Sequence, residues 1–237
     1  CKGGKKIINM VDFRICIKIK KRPEEAFMNE FIYGKEEMDY LCQKDVKMKE
    51  VIETLGMIHR EADEDLFSSV IHHIVGQQIS TKAQKTIYQR MKDGLGVINA
   101  DTICEASDAY LQSFGLTFRK VSYMKDFALK VRNHEIDLDG LYEKSDEEVI
   151  EILQSLKGIG RWTAEMILLF CMQRKNVFAY DDLAIQRGLR MVYHHRKITK
   201  QLFEKYRRRF SPYCSIASLY LWAVAGGKIE GMKDYGK

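Results

Sequence analysis

The chain has 237 residues, 46% of them hydrophobic and 30% charged, a balance that excludes a disordered or low-complexity protein and suits one large domain or two small lobes. A net charge of +6 favours a polyanionic partner without identifying one. Only two prolines occur, in a chain rich in Lys, Glu, Leu, Ile and Met, which points to an all-α protein.

Residues 1–27 stand apart as an N-terminal extension. In "VDFRICIKIKKR", Phe13, Ile15, Ile17 and Ile19 alternate with Arg14, Cys16, Lys18 and Lys20, the period of a strand. Three placements stay open for it: pairing with another molecule, lying on the surface, or belonging to a non-native leader. From residue 28 to 237 the reading is one helical domain. "MNEFIYGKEEMDYLCQKD" and "KMKEVIETLG" each predict a helix, and the stretch from Glu64 to Gly96 predicts two, broken at Gly76. "SDAYLQSFG", "TFRKVSYMKDFALKVRN" and "SDEEVIEILQSLKG" follow, the last with Ser145 and Glu148 at capping-box spacing. Further helix is expected after Lys157, after Tyr180 and from Ile198 to Gly227.

The six cysteines are irregularly spaced, with no C-x-x-C pair and no histidine cluster, so the expectation is reduced thiols and no metal held by side chains. No apolar run approaches the roughly 20 residues of a membrane span. A cytoplasmic protein is expected, nucleoid-associated if bacterial.

One stretch is more informative than any other. In "LKGIGRWTAEMILLF" two apolar helices are joined through Gly158-Ile159-Gly160, and glycine permits a tight hairpin by allowing positive φ and close backbone approach. The helix that follows presents unpaired amides at its positive end, where a phosphate is a natural occupant. "NVFAYDDLAIQR" follows, with paired aspartates at a helix entry.

These two stretches, with "LFSSVIHHIVGQQISTKAQKTIYQRM" and "GLTFRKVSYMKDFA", resemble the helix-hairpin-helix (HhH-GPD) DNA glycosylase superfamily, specifically its DNA-3-methyladenine glycosylase II branch. The likeness runs over roughly residues 35–225. It implies a two-lobed helical fold with a central cleft, the helix-hairpin-helix lying at about 146–173 and the catalytic loop at 176–187.

The resemblance also implies roles. Asp182 falls at the catalytic position, twenty residues after Trp162 and five before Arg187, and Asp181 is left as a helix cap. A carboxylate there stabilises the oxocarbenium character of a sugar losing its base. Bifunctional relatives carry a lysine nucleophile where this chain has Trp162, so no lyase activity is expected. An indole instead stacks on an electron-poor alkylated purine, a contact worth ~1–2 kcal/mol when desolvated. Trp222, Met166 and Leu183 complete the implied base pocket, with Trp222 equally readable as a core residue. DNA is to be gripped by Gly158, Gly160, Thr163 and Arg187. Gln78, with Ile79 as the other choice, is the wedge filling the gap left by a flipped base, and Gln77 and Ser80 flank it.

Backbone carbonyls of Gln154, Leu156 and Ile159 are implied ligands of a monovalent sodium or potassium ion, and no other cofactor is expected. The resulting expectation is a monomeric, monofunctional enzyme acting on double-stranded DNA that contains alkylated bases and leaving abasic sites for base-excision repair. Two alternatives stand beside it: a glycosylase for a mismatched or deaminated base, and a non-catalytic DNA-binding module.

Overall fold

The computed structural model describes residues 30–63 and 65–236, so the alternating segment of the extension lies outside the described residues. Among the described residues the fold is all-helical, the one β feature being an isolated bridge between Glu30 and Glu61. In chain order the helices are α1 (Lys35–Lys44), α2 (Val46–Leu55), α3 (Leu66–Gly76), α4 (Thr81–Leu95), α5 (Ala100–Glu105) and α6 (Asp108–Ser113). They continue with α7 (Phe118–Arg132), α8 (Asp146–Gln154), α9 (Arg161–Phe170), α10 (Leu183–Tyr193), α11 (Lys200–Phe210) and α12 (Cys214–Ala225).

Short polar residues set most of the starts. Asp45, Asp65, Ser80, Asn99, Ser107, Thr117, Ser145 and Thr199 each accept a backbone amide from the first turn of the helix they precede. The box expected at Ser145 is present, with Glu148 accepting the Ser145 amide at 2.9 Å.

Two expectations change. The first helix begins at Lys35 and not at residue 28, because residues 30–33 are held extended against the 58–61 segment. There the Phe31 amide donates to the Arg60 carbonyl at 2.8 Å, and the Ile58 amide donates to the Tyr33 hydroxyl at 2.7 Å. Phe31 and Tyr33 are buried by this arrangement, a tertiary gain that outweighs local helix preference. The second change is an addition: α5 and a 3-10 turn at Gly140–Glu143 were not expected, both being too short to show a period.

Packing sorts the helices into two groups. α1 and α2 pack with α10, α11 and α12, while α3 to α9 pack among themselves. The first and last parts of the chain therefore build one lobe and the middle builds the other. α12 is the spine of the first lobe, with almost every residue from Cys214 to Val224 buried.

Candidate active site

The hairpin is built from the turn between α8 and α9. Leu156 and Ile159 are buried in the core, and the Ile159 amide donates to the Leu156 carbonyl at 3.2 Å. Gly158 has φ +82°, and a Cβ there would stand 2.3 Å from the Tyr123 ring. Both reasons demand glycine. Gly160, in contrast, caps α9 at φ −92° with open space around it, so the positive φ that glycine permits is used at Gly158 alone of the two.

Arg161 secures the first turn of α9. Its guanidinium donates to both oxygens of Glu147 on α8, at 2.7 and 2.9 Å, and its Nε lies 3.3 Å from Glu165. Burial nevertheless pushes the Glu165 carboxyl up to about 7, since desolvation outweighs the pull of Arg161.

Asp182, not Asp181, caps α10. Its Oδ1 accepts the amides of Ala184 and Ile185 at 2.9 and 2.8 Å, so the cap assigned to Asp181 is corrected; Asp181 is exposed. The cap needs an acceptor one residue before the first helical residue, and α10 starts at Leu183. Asp182 is itself buried, and two further donors reach it. Trp222 Nε1 donates to Oδ1 at 3.1 Å, and Trp162 Nε1 donates to Oδ2 at 3.0 Å. The carboxylate and both tryptophans, separated by 20 and 40 residues, thus meet at one point.

Trp162 also lines a cleft of about 500 Å³, a volume suited to a small ligand or a nucleobase. Thr163, Phe170, Gln77, Gln78, Arg60, Asp63, His72 and His73 share its wall. The Phe170 ring packs on Trp222 with centroids 5.5 Å apart and planes at 21°, and the Arg60 guanidinium sits 5.0 Å from the Phe170 centroid. Asp63 accepts the Ser69 hydroxyl at 2.5 Å, with His72 Nδ1 at 3.9 Å. Burial brings His73 down to about 4 and lowers His72 as well, so both are neutral at ordinary pH.

The turn after α3 approaches the hairpin. Gln77 Nε2 donates to the Gly158 carbonyl at 2.7 Å. Gln78 follows with φ +58°, an uncommon conformation for a side-chain-bearing residue, and Gln78 and Ile79 are exposed. Ser80 is the cap of α4. A second hollow beside this turn is lined by Gln78, Ile79, Thr117, Arg119, Lys120 and Gly158.

Several expected site residues lie elsewhere. Met166 is 3% exposed and belongs to the core, because one turn beyond Trp162 the face of α9 turns inward. Leu183, 79% exposed at the start of α10, stands in solvent. Neither lines the cleft; Trp222 and Asp182 do not line it either, standing against Phe170 and Trp162, and Phe170 contributes the second aromatic wall. The Arg187 charge is engaged by Asp234 at 3.7 Å. In the basic run 207–209, Arg207 pairs with Glu204 at 2.7 Å and Arg209 with Asp45 at 2.5 Å, so two of its three charges serve the fold. Sequence reasoning missed Phe170, Asp63 and the cleft position of the two histidines. Only the helical register of Phe170, eight residues after Trp162, offered a signal.

Residues 71–212 match the model of the HhH-GPD superfamily of base excision DNA repair proteins. The chain is 32% identical over 176 residues to DNA-3-methyladenine glycosylase 1 of Schizosaccharomyces pombe, covering 72% of this chain and 75% of that one. Among solved structures, a DNA-3-methyladenine glycosidase from Bacillus halodurans superposes with a TM-score of 0.76 at 30% identity, covering 86% of this chain and 95% of that one. The 3-methyladenine DNA glycosylase of S. pombe in complex with abasic DNA gives a TM-score of 0.72 at 26% identity, covering 86% and 100%. The two-lobed helical fold with its glycine hairpin is that of the helix-hairpin-helix glycosylases. This chain belongs to the HhH-GPD superfamily.

Proposed function

We propose that the chain is a monofunctional DNA N-glycosylase that excises alkylated purines of the 3-methyladenine type from duplex DNA, leaving an abasic site for base-excision repair. The observation that carries this reading is the meeting of Asp182 with Trp162 and Trp222 beside the cleft. A flipped alkylated purine carries positive charge, so it favours an aromatic face and departs without general-acid help. The remaining demand is to stabilise the oxocarbenium-like sugar, which one ionised carboxylate supplies. Asp182 is assigned that role, with Trp162, Trp222 and Phe170 forming the base pocket. Burial lowers the two neighbouring histidines, so the cationic side chains of the cleft wall are Arg60 and Lys85, with Asp63 and Glu61 opposing them.

The hairpin amides at Gly158 and Gly160 are assigned to a phosphate, and the exposed pair Gln78 and Ile79 to the wedge. Gln77 and Thr163 serve as supports. Carbonyls of Gln154, Leu156 and Ile159 suit a monovalent cation: Gln154 ends α8, where carbonyls lose their helical partners, and Leu156 and Ile159 bracket the turn. Such an ion would add positive charge beside the phosphate. The absence of lyase chemistry rests on Trp162 standing where bifunctional relatives carry a lysine nucleophile. A monomer acting on double-stranded DNA is the assigned form. Among the described residues no helix is long and apolar enough to cross a membrane. The test is single-turnover base release from duplexes each bearing one lesion. Release confined to mismatched or deaminated bases, or none at all, would reject the assignment.

A further inference from the structure

We propose that the donors on Asp182 divide into a fixed cradle and a removable cap. Trp222 is a positioning residue that holds Oδ1, and Trp162 covers Oδ2 until a flipped base draws its indole away. This inference rests on the glycosylase reading.

The two oxygens are not equivalent. Oδ1 accepts three N–H groups, from Ala184, Ile185 and Trp222, at 2.8 to 3.1 Å. Oδ2 accepts one among the described residues, from Trp162 at 3.0 Å. The two indoles also differ in how firmly they are held. Trp222 lies half-buried on α12 with its ring packed on Phe170 at 5.5 Å. Trp162 sits on the exposed first turn of α9, is 43% exposed, and has no aromatic ring partner among the described residues. Trp162 lines the cleft and Trp222 does not.

Oδ1 is therefore saturated and immobile, and Oδ2 is the oxygen left to face a developing cation. Trp162 lines the cleft and Asp182 does not, so the bonded indole stands between Oδ2 and the cleft, and a sugar reaching from that side meets the ring before the carboxylate. The sugar gains the carboxylate only when the indole turns, and what turns it is the stacking gained on the base. An electron-poor alkylated purine offers more of that than a normal one. Exposure of the charge is thereby tied to the identity of the base, and selection acts at the chemical step as well as at binding.

The protein contains two tryptophans, so an amide-labelled sample gives two indole N–H resonances, assigned through Trp162→Phe. With a duplex carrying an uncleavable 2′-fluoro alkylated nucleotide, the Trp162 signal should leave its hydrogen-bonded position while the Trp222 signal stays. A lesion-free duplex should move neither. The cap is refuted if Trp162 stays put in the lesion complex, moves equally with lesion-free DNA, or is accompanied by Trp222. Trp222→Phe keeps the ring stack and removes one donor to a charged acceptor. It should lower the single-turnover rate about 10-fold or more at unchanged DNA affinity. A wild-type rate would remove the cradle role. Base release by the unmodified protein judges the glycosylase reading separately: excision with an immobile Trp162 signal sinks the cap alone.

Discussion

Gln77 and Gly158, 81 residues apart in sequence, are joined by a 2.7 Å hydrogen bond from the glutamine amide to the glycine carbonyl. The turn bearing the proposed wedge is thus braced against the proposed phosphate-binding hairpin. A shift of either loop is transmitted to the other.

The two hairpin glycines should consequently behave differently. Gly158→Ala places a Cβ in a left-handed conformation and against the Tyr123 ring, which costs about 1–2 kcal/mol for the backbone before the clash is counted. Thermal melting should fall by several degrees and binding to all duplexes should weaken together, since phosphate contacts carry no sequence information. Gly160→Ala meets open space at an ordinary φ and should cost under about 1 kcal/mol through the weaker cap. Equal damage at both positions, measured by melting and fluorescence anisotropy, would contradict this account.

Asp182→Asn should reduce single-turnover base release by several orders of magnitude. Asparagine keeps one oxygen for the α10 cap, so the loss of stability should stay near 1 kcal/mol. Asp181→Asn removes no cap and should leave melting and base release within about twofold. If Asp181 were the damaging site, the assignment of the carboxylate would be wrong.

Glu165 makes stability depend on pH. Its carboxyl is raised to about 7 in the folded protein from the ordinary 4.5. The folded state holds the proton more tightly, so this group's contribution is fully present below pH 4.5 and is lost as pH rises through about 7. Glu165→Gln removes that loss while Arg161 keeps its paired bonds to Glu147. The variant should melt several degrees above wild type at pH 8, on the order of 2 kcal/mol, and alongside it at pH 4. Melting curves at the two pH values decide the matter; a variant less stable at pH 8 refutes it.

Borohydride should trap no covalent adduct between the protein and abasic DNA, and treated duplexes should remain unbroken until alkali or heat is applied. Position 162, where bifunctional relatives carry the nucleophilic lysine, holds an indole. A readily trapped adduct would overturn the monofunctional assignment.

What the sequence revealed was governed by how local the cause was. The hairpin, the capping box at Ser145 and the break at Gly76 depend on residues within a turn of each other, and each is where its pattern placed it. The α1 start was illegible because partners near residue 60 hold Phe31 and Tyr33 extended. Met166 and Leu183 flank residues that do face the site, and whether their side chains turn toward the cleft depends on packing between helices. Phe170 and the two histidines were hidden for the same reason: a cleft wall is assembled from α3, α4 and α9, and no single segment carries its outline.

The division of the chain between lobes gives the Trp162–Asp182 contact a further meaning. Asp182 is fastened by Ala184, Ile185 and Trp222 within the lobe of α10 and α12, while Trp162 belongs to α9 in the other lobe. Of the four hydrogen bonds to its carboxylate, that one alone spans the two halves of the molecule. It therefore works as a strain gauge: together with the Phe170–Trp222 stack, it registers movement of one lobe against the other. In a protein with only two indoles, intrinsic emission offers a dye-free record of the jaws opening around DNA.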